Sequence, residues 1–63
     1  MKMKVIYDED VDVMNIKFVE DYNPTDSQAK DGFIFDFDAN GDVIGIEILN
    51  ASTIINQLHK KVN

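Results

Sequence analysis

Residues 36–47 of this chain have side chains that could bind calcium. They read DFDANGDVIGIE and fit the EF-hand calcium loop, in which acidic and amide oxygens surround a glycine turn. The candidate ligands are Asp36, Asp38, Asn40, Asp42 and Glu47. An EF-hand needs a helix on each side, whereas GFIFDF and VIGIEIL are rich in the aromatic and β-branched residues typical of strands. We therefore predict no metal site, with weak calcium binding at this hairpin as the alternative.

The flanks of this segment predict a β-hairpin. Asn40-Gly41 between alternating hydrophobic residues favours a two-residue type I′ turn. Such a loop pairs three phenylalanines with three isoleucines: Phe33 with Ile48, Phe35 with Ile46, and Phe37 with Ile44. A three-residue loop, with residues 38–41 as a type I turn plus bulge, would slip the register by one and scatter the apolar set. We predict the two-residue loop, or a four-residue loop of the same parity.

Other side chains capable of catalysis form no constellation. His59 is the single histidine and falls in the last turn of a predicted helix, while Ser52 and Thr53 fall in its first turn. A nucleophile needs a general base within hydrogen-bonding reach, and no such pair can be placed. The aspartates of segment 8–12 lie in a predicted turn. We therefore expect a protein that is not an enzyme and uses no cofactor.

Composition narrows the class of protein further. The 63 residues suffice for one domain, and the absence of cysteine excludes disulfides and thiolate ligands. Twelve acidic residues against six lysines, a net charge of −6, argue against nucleic-acid binding but could attract a basic protein partner. No apolar run approaches the roughly 20 residues that a membrane span needs, and no signal peptide is visible. We expect a cytoplasmic protein.

Alternating hydrophobicity predicts strands at about 3–7, 13–19, 33–38 and 42–49. Residues 20–32 are the least patterned segment, read either as a loop or as a loop with a short edge strand near 25–29. The period then changes to that of an amphipathic helix at about 51–61. Its spaced apolar residues are Ala51, Ile54, Ile55, Leu58 and Val62, with Asn50 or Ser52 as N-cap.

The strand residues in phase with one another predict one dry sheet face. They are Met3, Val5, Tyr7, Met14, Ile16, Phe18, Phe33, Phe35, Phe37, Ile44, Ile46 and Ile48. The fold class is α+β: an antiparallel meander sheet of about four strands, with the C-terminal helix packed on its apolar face. The outer face also carries apolar residues: Ile6, Val13, Val19, Ile34, Val43 and Leu49. These residues and the free sheet edges predict a homo-oligomer.

The chain also resembles a small bacterial and archaeal family, domain of unknown function 2283. Its members read Y-D-x-x-x-D, then I-x-[FL], then D-x-x-G-x-[IV]-[IV]-G-I-E-I-L-x-A-S. The matching residues are Tyr7, Asp8, Asp12, Ile16, Asp38, Gly41, Val43, Ile44, Gly45, Ile46, Glu47, Ile48, Leu49, Ala51 and Ser52. The middle segment has less strand character than in relatives, which puts a third strand there in doubt. The resemblance implies a small sheet followed by a helix and no established activity.

The functional expectation is a non-enzymatic protein-interaction module. Some relatives of the resembled family are encoded beside small toxin-like proteins, which implies an antitoxin-like role with a small basic partner. The alternative from another class is weak divalent-cation binding at the 36–47 hairpin.

Overall fold

The computed structural model describes residues 2–62, and the side chains of residues 2–59. One antiparallel sheet of five strands is followed by a helix, and the strands lie side by side in the order β1-β2-β5-β4-β3. The elements are β1 Lys4–Asp8, β2 Val13–Lys17, β3 Asp26–Lys30, β4 Phe33–Phe37, β5 Val43–Leu49 and α1 Ala51–Val62. None of the helical residues described forms a helix long and apolar enough to cross a membrane.

The fifth strand, β3, corrects the prediction of about four strands and bears out the edge-strand alternative. Its sequence DSQAK is polar, so the hydrophobic pattern alone could not identify it. It forms because Asp31 and Gly32 both adopt positive φ, 53° and 84°, as a tight type I′ hairpin turn requires. That turn lays β3 antiparallel along β4, where backbone pairing supplies the stability that its side chains do not.

The strand order differs from the predicted simple meander. Strands β3, β4 and β5 form a meander of their own, and β2 of the first hairpin pairs with β5 rather than with β3. The connection after β2 therefore carries the chain across to the far edge of the sheet. As a result, β5 becomes the central strand, and among residues 2–59 it carries two of the three buried positions, Ile44 and Gly45.

The pairing registers confirm that the predicted apolar residues of two rows share one face, but the face is not dry throughout, since Val5 is 56% and Tyr7 46% exposed. Directly opposite residues share a face, so two rows run across the strands. One row holds Val5, Ile16, Ile46 and Phe35, and the next holds Tyr7, Met14, Ile48 and Phe33. The rings of Phe33 and Phe35 lie 6.4 Å apart between centroids.

This apolar face stays partly open in the single chain. Among the described side chains, the buried apolar ones are Ile44 and Ala51. The predicted helix is confirmed at Ala51–Val62, but Ile55 is 42% exposed and Leu58 is 57% exposed. The helix is therefore anchored by its first residue, while its apolar side chains further along bury only part of their surface.

The β4–β5 hairpin keeps most of the predicted strand register but has the three-residue loop that the sequence does not favour. The Asp38 N–H donates to the Asp42 carbonyl (2.9 Å) and the Gly41 N–H donates to the Asp38 carbonyl (3.0 Å), with Gly41 at φ 83°. This is the three-residue loop, so the two-residue prediction is wrong at the tip. A bulge then leaves Ile44 as the extra residue of β5, with Phe37 opposite Val43.

The bulge explains why two of the three predicted pairs form although the loop has three residues, whereas the predicted pair Phe37–Ile44 is wrong. It absorbs the one-residue slip, so the predicted pairs Phe35–Ile46 and Phe33–Ile48 are confirmed. The carbonyl of Ile44 accepts a hydrogen bond from the Phe18 N–H (2.9 Å), which continues the β2–β5 pairing by one residue. The bulged residue is thus tied to the end of β2 and its side chain is 4% exposed.

Candidate functional site

The five candidate calcium ligands are divided between two strands and a turn, and two of them, Asp36 and Asp38, accept hydrogen bonds within the fold. One carboxylate oxygen of Asp38 accepts the backbone N–H groups of Asn40 (2.9 Å) and Asp42 (3.0 Å), which shapes the tip. Asp36 lies in β4 opposite Gly45, and Glu47 lies in β5 opposite Ile34. Within residues 2–62, no group of three or more histidine, aspartate or glutamate side chains is arranged to hold a metal ion.

A first polar cluster, which we call the Asp12 cluster (Tyr7, Asp12, Ser52), joins the β1–β2 hairpin to the helix. Asp12 ends the turn after β1 in a left-handed conformation, φ 55°, which aspartate tolerates better than most residues. This backbone geometry turns both its carbonyl and its carboxylate toward the start of α1. Residues forty positions apart in sequence thereby come into contact.

Asp12 accepts four hydrogen bonds in this cluster. Its backbone carbonyl accepts the Ala51 N–H (3.0 Å), and its carboxylate accepts the Ser52 N–H (3.0 Å). The Ser52 hydroxyl (2.8 Å) and the Tyr7 hydroxyl (2.7 Å) also donate to the carboxylate. These donors, Tyr7 first and then Ser52, hold the pKa of Asp12 below its ordinary value, and the same contact raises the pKa of Tyr7.

The chemistry available to the Asp12 cluster is that of a helix cap. A carboxylate accepting N–H groups at a helix start satisfies orphan donors and favours the positive end of the helix dipole. A carboxylate whose pKa is lowered is a poor base, so nothing in this geometry activates the Ser52 hydroxyl as a nucleophile. His59 lies about 10 Å further along the helix axis, given the 1.5 Å rise per residue.

The structure confirms one of the two predicted N-cap residues and adds a capping side chain from elsewhere in the chain. Asn50 does occupy the N-cap position, since its carbonyl accepts the N–H groups of Thr53 (3.1 Å) and Ile54 (3.2 Å). The side chain that caps is nevertheless that of Asp12, from another hairpin. Sequence reasoning missed this role because an aspartate in a turn usually hydrogen-bonds to the backbone of its own turn. The available signal was that Tyr7, Asp12 and Ser52 all belong to the motifs that carry the family resemblance.

A second polar cluster, the Tyr22 cluster (Tyr22, Asp36, Ser27, Gly45, Lys17), lies on the opposite face of the sheet. Asp36 accepts hydrogen bonds from the Tyr22 hydroxyl and from the Ser27 hydroxyl (2.6 Å). The Tyr22 ring lies on Gly45, where an added Cβ would come within 2.6 Å of ring atoms. Burial, and then the Asp36 contact, raise the pKa of Tyr22.

A groove of about 420 Å³ borders the Tyr22 cluster. The ammonium of Lys17 lies 5.0 Å from the centroid of the Tyr22 ring, a cation–π distance, and forms one wall with it. The other lining residues described are Lys2, Met3, Lys4, Val19 and Glu20. Sequence reasoning did not identify this groove, because it placed residues 20–32 mainly in a loop and gave Tyr22 no partner.

These features define a class: a small α+β domain with one antiparallel sheet, whose C-terminal helix is capped by a hairpin aspartate. A family model described as protein of unknown function DUF2283 matches residues 4–52, which run from β1 to the capped serine of α1. The chain therefore belongs to this family, as its motifs predicted.

A relative among curated proteins is an uncharacterised protein of the archaeon Methanocaldococcus jannaschii. It is 43% identical over 56 residues, which cover 89% of this chain and 47% of that protein. The chain thus spans about half the length of the relative. No solved structure matches. Family and relative are alike of unknown function, so function has to be argued from the geometry.

Proposed function

We propose that this chain is a non-enzymatic protein-interaction module that associates with further copies of itself through its apolar sheet face and helix α1. The observation that carries the proposal is the open apolar face described above. A half-buried row of phenylalanine and isoleucine side chains is costly to leave in water, at about 25 cal/mol per Å² of apolar surface.

The surface area supports a second copy as the occupant. The chain exposes 4894 Å². A compact globular monomer of the same mass, 7.2 kDa, exposes about 4,100 Å². The excess, about 800 Å², is of the size that each partner buries in a standard stable interface.

Light scattering coupled to size exclusion tests the association. We expect a molar mass at least twice that of the single chain, which is 7.2 kDa. Leu58→Asp, at a side chain 57% exposed on α1, should shift the protein toward the monomer. Gln57→Asp introduces the same charge at the exposed neighbouring position and should leave the mass unchanged. A parent chain that stays monomeric at the highest concentration reached would contradict the proposal.

For the further partner we propose a small basic protein, as in an antitoxin-like pair. The support is charge complementarity. The chain has twelve acidic residues and six lysines, and the three acidic residues of segment 8–10 are all exposed. The experiment is to purify the products of neighbouring genes and measure binding at low and high salt. A basic product should bind with an affinity that falls as salt rises. If every such product fails to bind at low salt, the basic-partner proposal is wrong.

A further inference from the structure

Three of the six lysines of this acidic chain converge on one groove. Lys4 and Lys17 are directly opposite each other in the β1–β2 register, so their side chains leave the same face of the sheet. Lys2 lines the same groove, and among the residues that the structure describes Glu20 is the one acidic residue that lines it. Like charges directly opposite on paired strands destabilise the pair. The fold therefore carries a local repulsion that a bound anion would relieve.

The wall of this groove is held in place before any ligand arrives. The Tyr22 hydroxyl donates to Asp36, and the absence of a side chain at Gly45 lets the ring lie flat against β5. Lys17 is held over that ring at 5.0 Å. Fixed groups reduce the conformational entropy that binding would otherwise cost.

One row across the sheet explains this arrangement. Residues directly opposite one another run in the order Lys4, Lys17, Gly45, Asp36 and Ser27. The two lysines lie at one end of the row, and Gly45, which the Tyr22 ring contacts, lies in the middle. Toward the other end, Asp36 accepts hydrogen bonds from the hydroxyls of Tyr22 and Ser27. The Tyr22 hydroxyl donates to Asp36, while its ring contacts Gly45 and carries the Lys17 ammonium over it. The ring therefore lies between Asp36 and Lys17.

We propose that this groove binds a small organic or inorganic anion with two negative charges, such as a dicarboxylate or a phosphate. Lys4 and Lys17 would pair with the charges, and the Tyr22 ring would pack against the body of the ligand. A volume of about 420 Å³ falls within the range of small-molecule sites. The net charge of −6 does not prevent this, since salt screens distant charges over about 8–10 Å.

Lys4 and Lys17 leave the sheet on the face opposite the proposed self-association surface, and Met3, which precedes β1, is the one residue of the predicted apolar set that also lines the described groove. Lys17 and Ile16 are consecutive in β2, so their side chains point to opposite faces, and Ile16 belongs to the apolar row. The proposal therefore goes beyond self-association, and either can fail without the other.

The test is a titration of the full chain, followed by backbone NMR shifts and by melting temperature, at constant ionic strength. Sodium phosphate, sodium succinate and monovalent sodium acetate serve as probes. We expect saturable shifts around Lys17 and Tyr22 and a higher melting temperature with at least one of the first two. A response to phosphate alone, to succinate alone or to both supports the proposal and identifies the ligand chemistry. No saturable shift with either would overturn it.

Matched variants separate a site from general charge attraction. Lys4→Gln should weaken the responding anion about tenfold, the loss typical of one charge-assisted hydrogen bond. Lys30→Gln removes the same charge from the exposed edge strand β3, on the other face, and should leave binding unchanged. Equal weakening by both variants would overturn the proposal. In anion-free buffer Lys4→Gln should melt no lower than the parent chain, and a lower value would show that Lys4 serves the fold instead.

Discussion

The contact between Gly45 and Tyr22 yields the sharpest prediction about the energetics of this fold. In Gly45→Ala, the new Cβ would lie 2.6 Å from both Cε1 and the hydroxyl oxygen of Tyr22. Real Cβ atoms do not approach other atoms this closely. Either β5 shifts or the ring moves, and a moved ring gives up its hydrogen bond to Asp36 and its contact with Lys17.

The coupling free energy between positions 45 and 22 can be estimated from the effect of Gly45→Ala on stability with and without the Tyr22 ring. Overpacking a well-fitted site costs about 1–3 kcal/mol, so we take about 2 kcal/mol for the parent background. Without the ring, replacing glycine by alanine within a strand should instead stabilise by about 0.5–1 kcal/mol. The coupling free energy between the two positions is then about 2.5–3 kcal/mol.

Urea denaturation followed by circular dichroism measures this double-mutant cycle. The four proteins are the parent, Gly45→Ala, Tyr22→Ala and the double variant. For a domain of this size, a loss of about 2 kcal/mol corresponds to a melting temperature lower by roughly 8–16 °C. If Gly45→Ala costs the same with and without the tyrosine ring, the ring is not what requires glycine at this position and the reasoning is refuted.

Two further predictions concern the carboxylates. Because hydrogen bonds from Tyr7 and Ser52 lower the pKa of Asp12, its carboxylate contributes stability above the unfolded pKa of about 3.9, and that stability is lost as pH falls through the lowered value. Asp12→Asn should therefore lower the melting temperature at pH 7, and the difference from the parent should shrink below about pH 4; a difference independent of pH would contradict this cap. Millimolar calcium should leave the melting temperature unchanged, since a carboxylate oxygen of Asp38 already accepts two backbone N–H groups. A saturable calcium-dependent rise would restore the hairpin as a cation site.

The strands and the helix of this fold were predictable wherever apolar side chains recur along one side of a segment. Alternation identified β1, β2, β4 and β5, and the change of period identified α1, with bounds that differ by a few residues. The pairing of Phe35 with Ile46 followed from the same requirement, since a one-residue slip would place Phe35 opposite Gly45 and scatter the apolar set. The candidate site was less predictable, because its contacts join residues distant in sequence.

The local conformation of the segments and the composition of the sheet faces can thus be read from the sequence. Four features depend on how the segments come together: the fifth strand, the central place of β5, the bulge at Ile44, and the cap that Asp12 supplies to α1. All four have the same cause. Each depends on backbone hydrogen bonds or polar contacts between segments, and these leave no periodic trace in the side-chain pattern, whereas burial of apolar side chains does.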